Sequence, residues 1–278
     1  MPWVPELFSA PAVESLLERR RTERLTMVPY FDGIVAGEPE ALAESFVGEP
    51  ELYHPIRGRI KGRQAFVDHV VETAAWIAER NVTVEDVRHF VTDEHGFEEV
   101  LLHLDGDNGR IELPVAIVGD GKSGGKIGEL RMYFSSWGLT GRHAIRPPVM
   151  QREGLRESDV IAEYQAALAA GDLEAILATF EPDGYAREPA GGRYVHRGPD
   201  GLRAFYAHLF SNGGGIPLEH CTSMGDDEAC ALEYNVVRWG RTDLPPQAGV
   251  AVYVRGPSRR IAAARIYDDV DPPLAPVE

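Results

Sequence analysis

Two cysteines in 278 residues are too few for a disulfide framework, and Cys221 and Cys230 have neither zinc-ligand nor redox spacing. No run approaches the roughly 18–20 apolar residues of a membrane span. The opening stretch, MPWVPELFSAPAVESLLERRR, lacks the charged region and apolar core of a signal peptide. Basic residues are in deficit: Lys plus Arg is 28 against 44 for Asp plus Glu, a net charge of −16. Such an acidic surface argues against nucleic acid or anionic membrane as a partner. His196, His208 and His220 are unspaced for a metal triad, so no metal is expected. The Gly-rich GDGKSGGKIG (119–128) lacks P-loop spacing and precedes a strand, so it reads as a hairpin turn. The expectation is a cytoplasmic protein without metal or other cofactor.

What is present is a repeat. Apolar residues make up 44% of the chain, enough for a core. Residues 27–62 and 161–198 align at a shift of 134, matching Tyr30 to Tyr164, Gly37 to Gly171, Phe46 to Phe180 and Pro55 to Pro189. ELRMYF (129–134) overlies AARIYD (263–268) at the same shift, matching Arg131 to Arg265 and Tyr133 to Tyr267. One domain is therefore used twice, with a period too long for a solenoid. The expected boundaries are a first domain at 1–140, a Gly- and Pro-bearing linker at 141–157 and a second domain at 158–278.

In the second half Ile161, Tyr164 and Leu168 fall on one helix face. Gly171 ends that helix, and Asp172 caps the next, whose apolar face is Leu173, Ile176, Leu177 and Phe180. EPDG (181–184) reads as a turn before a short strand, Tyr185 to Glu188, stopped by Pro189. A third helix follows Pro199, with Leu202, Phe205, Tyr206 and Leu209 inward. Strands are expected at 216–224, 228–239, 248–254 and 261–269. The first half repeats this order with helices at 39–47 and 63–80 and strands near 82–90, 97–104, 111–118 and 127–137. An extra helix is expected at 11–25, broken before Pro29. The class is α+β, with helices on one face of a curved, mostly antiparallel sheet.

The succession helix, AGDLEAI, helix, YAREP, GG, helix resembles the ketosteroid isomerase and SnoaL-like branch of the NTF2-like superfamily. The resemblance spans both halves. It implies two cone-shaped α+β barrels, each with three helices packed on a bent mixed or antiparallel sheet around an apolar pocket. It also implies an intramolecular pseudo-dimer of the halves, with a further homodimer left open. The superfamily includes isomerases, cyclases, dehydratases, epoxide hydrolases and non-catalytic binders, so fold does not fix function. In the isomerase a first-helix tyrosine donates to the oxyanion, a carboxylate before a proline moves the proton, and a protonated aspartic acid is the second oxyanion donor. Carried over, Tyr164 takes the tyrosine position and Glu188 the base position. Tyr30 and His54 take them in the first half. The third position holds Val250 or Ala251, and the matching strand LPVAIV (113–118) has no acid, which departs from a steroid isomerase.

Strand alternation places Glu188 with Ala186, and His54 with Leu52, toward the interior. An inward carboxylate in an apolar cone is expected to have a raised pKa. His54 could serve as a base in its own half. Asp268 stands where the first half has Phe134 and shares phase with Ala264 and Ile266, which makes it a candidate second pocket carboxylate and substrate contact; the alternative is solvation at the strand end beside Asp269 and Asp271. Trp137 and Trp239 end strands in the two halves and are candidate substrate contacts. The expected function is cofactor-free proton transfer, as isomerase, cyclase or dehydratase, on an apolar carbonyl compound of polyketide, terpenoid or steroid type. Glu188 would be the base and Tyr164 the oxyanion donor. Two alternatives stand beside it: a non-catalytic tandem binder of a small apolar ligand, and epoxide opening of the tandem polyether type by Glu188 paired with Asp268 or another acid.

Overall fold

The computed structural model describes residues 8–9, 27–92, 94–107, 109–122, 126–151, 153–155 and 157–273. The helix expected at 11–25 lies outside them. The chain divides into two compact units, Met1–Phe134 and Ser135–Glu278. The segment read as a linker is thus part of the second unit.

In the first unit a two-residue pair, β1 (Phe8–Ser9) with β2 (Met27–Val28), precedes helix α1 (Tyr30–Ala36). Pro29 stands at the N-cap of α1, where its fixed φ suits a helix start. Helix α2 (Pro39–Ala43) stops short of the expected 47 because the chain turns to meet the sheet: Val47 N–H donates to Ile127 O, and Ile127 N–H donates to Ser45 O. A hairpin, β3 (Glu51–His54) and β4 (Gly58–Lys61), leads into α3 (Arg63–Glu79). Strands β5 (Thr83–Val91), β6 (His95–Gly106), β7 (Gly109–Lys122) and β8 (Lys126–Tyr133) complete a sheet ordered β4-β3-β8-β7-β6-β5. The Gly-rich segment joins β7 to β8, which pair antiparallel up to Lys122 and Lys126.

The second unit opens with a short helix, α4 (Trp137–Thr140), followed by α5 (Asp159–Ala170), α6 (Leu173–Thr179) and α7 (Gly198–Leu209). Gly171 closes α5 at φ 72, and Asp172 caps α6 by accepting from Ala175 N–H at 3.0 Å. The strands are β9 (Phe180–Arg187), β10 (Val195–Arg197), β11 (Leu218–Gly225), β12 (Ala229–Trp239), β13 (Thr242–Arg255) and β14 (Ile261–Asp268), ordered β10-β9-β14-β13-β12-β11. EPDG is not a turn before the strand but lies inside β9. Phe180 pairs with Ile261 and Tyr185 with Ala263, so 181–184 bulge out between two rungs while the strand continues. Strands β4 and β10 were not read from the sequence. Each is short, at four and three residues, and sits at a sheet edge.

Both sheets repeat strand order and register. Leu52 pairs with Leu130 and Tyr53 with Arg131, as Ala186 does with Ala264 and Arg187 with Arg265. Glu99, Ala116 and Tyr133 form one rung, as Glu233, Val250 and Tyr267 do, each at the shift of 134. In each unit β3 or β9 runs parallel to its neighbour and the other pairs are antiparallel, so these are mixed sheets in an α+β layout. The core of the second unit gathers Ile161 and Leu168 of α5, Ile176 of α6, Leu202 and Tyr206 of α7, and Leu232 and Ala251 of the sheet. Each fully buried large apolar side chain there contributes about 1.5–3 kcal/mol.

Candidate active site

The helices and sheet of the second unit enclose a cavity of about 270 Å³. Its wall includes Tyr164 of α5, Glu188 after β9, Trp239 at the end of β12 and Asp268 at the end of β14. The structure therefore brings together all four second-half residues named from the sequence. Trp137 does not end a strand: it starts α4, is 40% exposed and is not in the cavity wall. The strand stops before it because Asp269 captures Ser135 and Ser136.

Tyr164 is buried, with its hydroxyl 2.8 Å from that of Tyr206 on α7. Its ring lies 5.2 Å from that of Tyr253 on β13, whose hydroxyl accepts from Gln165 Nε2 at 2.8 Å. Burial raises all three phenols. Hydrogen bonds from Tyr206 and Tyr253 pull Tyr164 back to about 12, while its two neighbours stand well above their ordinary value. Tyr164 is thus the most acidic phenol of the three, and in its contact with Tyr206 either hydroxyl can donate.

Asp268 is a carboxyl of the cavity wall whose pKa is raised. Burial pushes its pKa up to about 6 against an opposing hydrogen bond from Tyr234, whose hydroxyl donates to Asp268 Oδ2 at 2.9 Å. That contact depends on Gly249. Tyr234, Gly249 and Asp268 share one rung across β12, β13 and β14. A Cβ on Gly249 would lie 2.7 Å from Tyr234 Cζ and 2.8 Å from Asp268 Cβ, so the missing side chain lets the phenol cross the middle strand.

Glu188 sits differently. Its carboxylate is 34% exposed and pairs with His196, Nε2 to Oε1 at 2.6 Å. The His196 ring stacks on Phe205 at 4.3 Å, and Phe205 is itself in the cavity wall. Glu188 is therefore a paired, half-exposed group of the wall and not a lone carboxylate in an apolar interior. Trp239 donates from Nε1 to Leu209 O at 2.8 Å, which satisfies its indole and leaves its ring face to the cavity.

Sequence reasoning missed Tyr206, Tyr234, Tyr253 and His143. Tyr206 was read as a core residue of α7, which it also is. Tyr234 and Tyr253 could have been found from phase, since Tyr253 pairs with Ala264, itself assigned to the inner face with Asp268. His143 lay in the expected linker. It lines the cavity with Nδ1 2.9 Å from Asp269 Oδ1.

The first unit places its two candidates in one cluster. The Tyr30 hydroxyl stands 2.8 Å from Nε2 of His69, whose pKa burial and the Arg57 charge lower to about 4. Either tautomer of a neutral His69 engages the Tyr30 hydroxyl, which is thus held by a protein partner. His54 lies 5.6 Å from the His69 ring and 5.4 Å from that of Phe134. Its Nδ1 accepts from the backbone N–H groups of Ile56 and Arg57, both at 3.2 Å, and so fastens the turn that joins β3 to β4. That commitment removes Nδ1 as a base. Among the described residues no cluster of three His, Cys, Asp or Glu side chains could hold a metal, and no helix is long and apolar enough to cross a membrane.

Comparison with known proteins gives a likeness for part of this unit. No curated protein matches the chain. Among solved structures it is similar to a cystatin-fold protein of Novosphingobium aromaticivorans, with 18% identity over 38% of this chain and 93% of that one, at a TM-score of 0.34. It is likewise similar to a SnoaL-like protein of unknown function from Burkholderia thailandensis, at 22%, 38%, 88% and 0.32 in the same order. A ketosteroid isomerase-like fold from Catenulispora acidiphila, solved with trimethylamine, gives 19%, 39%, 83% and 0.33. The family model for the SnoaL-like domain matches residues 161–263. The part of the chain that builds most of this cavity, from α5 into β14, is thus similar to the SnoaL-like domain.

Proposed function

We propose that the second unit catalyses proton transfer on a compact, apolar, carbonyl-containing molecule, as an isomerase, cyclase or dehydratase without metal or redox cofactor. The observation that carries this reading is the meeting, in one cavity, of a carboxyl raised to about 6 and a phenol kept more acidic than its neighbours. Asp268 is the base: it is ionised at neutral pH yet poorly solvated, which suits reversible removal of a proton α to a carbonyl. Tyr164 donates its O–H to the oxygen on which charge develops, in surroundings of low dielectric. The remaining wall is mostly apolar, with Leu168, Phe205, Ile216, Val236 and Ile266 to exclude water and take up hydrocarbon. Glu188 with His196 positions the substrate at the rim. The halves are read as a tandem duplication, supported by the shared strand order and register.

The test is exchange of the α-protons of 2-tetralone in deuterated buffer, followed by NMR on the full chain. Wild type exchanges faster than buffer. Asp268→Asn lowers the rate at least about 100-fold, and Glu188→Gln lowers it by less than about tenfold while raising KM. An Asp268→Asn variant that exchanges as fast as wild type overturns the assignment. If Glu188→Gln is instead the dead variant, the base belongs to the carboxylate before Pro189.

A further inference from the structure

The segment 135–144 brings a second proton-transfer group to the cavity. Asp269, buried behind Asp268, accepts hydrogen bonds from Ser135 Oγ at 2.8 Å, Ser136 N–H at 3.0 Å, Ser136 Oγ at 2.6 Å and Ala144 N–H at 2.7 Å. It also receives His143 Nδ1 at 2.9 Å. Burial acts to raise the Asp269 pKa, but the donors from His143, Ser136 and Ala144 outweigh it and hold the group below its ordinary value. An ionised carboxylate only accepts, so the proton of that contact sits on Nδ1. The ring is stacked on Trp137 at 4.9 Å and 26°, and it lies in the same cavity wall as Asp268. Nδ1 is spent on Asp269, so Nε2 is the nitrogen left for chemistry. A carboxylate with this many donors, behind an imidazole that reaches a cavity, orients a catalytic ring more firmly than a surface ion pair would.

We propose that His143 is the general acid of this cavity, and that the reaction it serves is loss of water from an apolar β-hydroxy ketone. The inference rests on the proton-transfer reading above. Asp268 takes the α-proton, the electron pair of that C–H bond forms the new C=C bond, and the C–O bond to the hydroxyl breaks. The Nε2 proton of cationic His143 joins the departing hydroxyl, which leaves as water. Asp268 ends protonated and His143 neutral, and return of one proton from the carboxyl to the ring restores both. The charges around the ring favour this direction. The hydrogen bond to Asp269 raises the His143 pKa, burial opposes it, and the carboxylates of Asp269, Asp271 and Asp268 raise it further. Asp268 is ionised above about 6, so both groups hold the required form between that pH and the pKa of His143.

The test uses the full chain and 4-hydroxy-4-phenylbutan-2-one, whose dehydration gives a conjugated enone read by ultraviolet absorbance. Wild type is expected to form the enone with a bell-shaped pH profile. His143→Gln, whose amide can still donate to Asp269, is expected to lose at least about 100-fold in kcat together with the alkaline limb, with KM changed less than about threefold. Histidine-labelled wild type is expected to show neutral His143 with its proton on Nδ1, a readout that does not depend on any variant folding. Wild-type rate and alkaline limb in His143→Gln, or a neutral His143 with its proton on Nε2, overturn the general acid. In that event, loss of 2-tetralone exchange in Asp268→Asn still upholds the base. No enone from wild type overturns the dehydration itself, whether or not 2-tetralone exchanges.

Discussion

Replacing Asp268 by Asn should make the second unit more stable where it makes it inactive. Burial raises the Asp268 pKa from 3.8 to about 6, so the folded protein holds this proton more tightly than the unfolded chain. For an acid raised in this way, the stability it contributes is full below about pH 4 and is lost as pH climbs to about 6. A rise of that size corresponds to about 3 kcal/mol, an upper bound because the carboxyl also lines a cavity that can admit water. Asn has nearly the same shape, and its Oδ1 can keep the hydrogen bond from Tyr234, but it carries no charge to desolvate. The variant should therefore gain about 1–3 kcal/mol over wild type at about pH 8 and match it within about 0.5 kcal/mol at about pH 4. Urea unfolding at the two pH values, followed by tryptophan fluorescence and compared at equal m, measures this. A variant no more stable than wild type at the higher pH would refute the claim that desolvation dominates at Asp268. The stability gained in the dead variant is then the cost at which the active site holds its base.

Three further outcomes follow from the same geometry. Tyr234→Phe keeps the ring but removes the donor to Asp268, which should raise the carboxyl pKa by about one to two more. The acid limb of 2-tetralone exchange then moves up from about 6, and a limb that stays put would mean Asp268 is not the titrating group. Gly249→Ala should push the Tyr234 ring off Asp268, shifting the same limb in the same direction and costing about 1–3 kcal/mol by overpacking. A shift only in stability, with the limb unmoved, would show that the phenol finds another way across. In the first unit, burial raises Glu98 to about 8 although its Oε2 accepts the Tyr30 N–H at 2.9 Å. The stability it contributes is lost as pH rises from about 5 to about 8, so Glu98→Gln should flatten a decline in Tm over that range.

The helices and their ends were legible because they are local events. Gly171 in a left-handed conformation and Asp172 over Ala175 N–H are fixed by two adjacent residues. The position of Asp268 was legible through strand phase, which needs only alternation along one strand. What it does there was not, because its partner Tyr234 is a cross-strand neighbour across an intervening glycine. Glu188 was given the interior by the same phase argument. The phase failed to show His196, which arrives on β10, a three-residue edge strand without periodicity of its own. His143 was hidden for a related reason. Its segment has Gly, Pro and mixed charge, the composition of a linker, and only the hydrogen bonds to Asp269 reveal that it is tied down.

The two halves share a register, and so they can be compared rung by rung. The rung that carries Tyr234, Gly249 and Asp268 corresponds, at the shift of 134, to Val100, Val115 and Phe134. Val100 and Val115 pair in the first sheet as Tyr234 and Gly249 do in the second. The first half therefore has no phenol to cross the strand, no gap for it to cross through and no carboxylate at the end. Phe134 stands in place of the base, with its ring 5.4 Å from His54. All three differences act in one direction. A single change, Phe134→Asp, would bury a carboxylate with no phenol across the rung to donate to it, which destabilises by several kcal/mol. Restoring the rung requires Val100→Tyr and Val115→Gly as well. If the rung is the unit of function, the triple variant should be more stable than Phe134→Asp alone at about pH 8, where the carboxylate is charged. A triple variant no more stable than the single one would show that the three positions act independently.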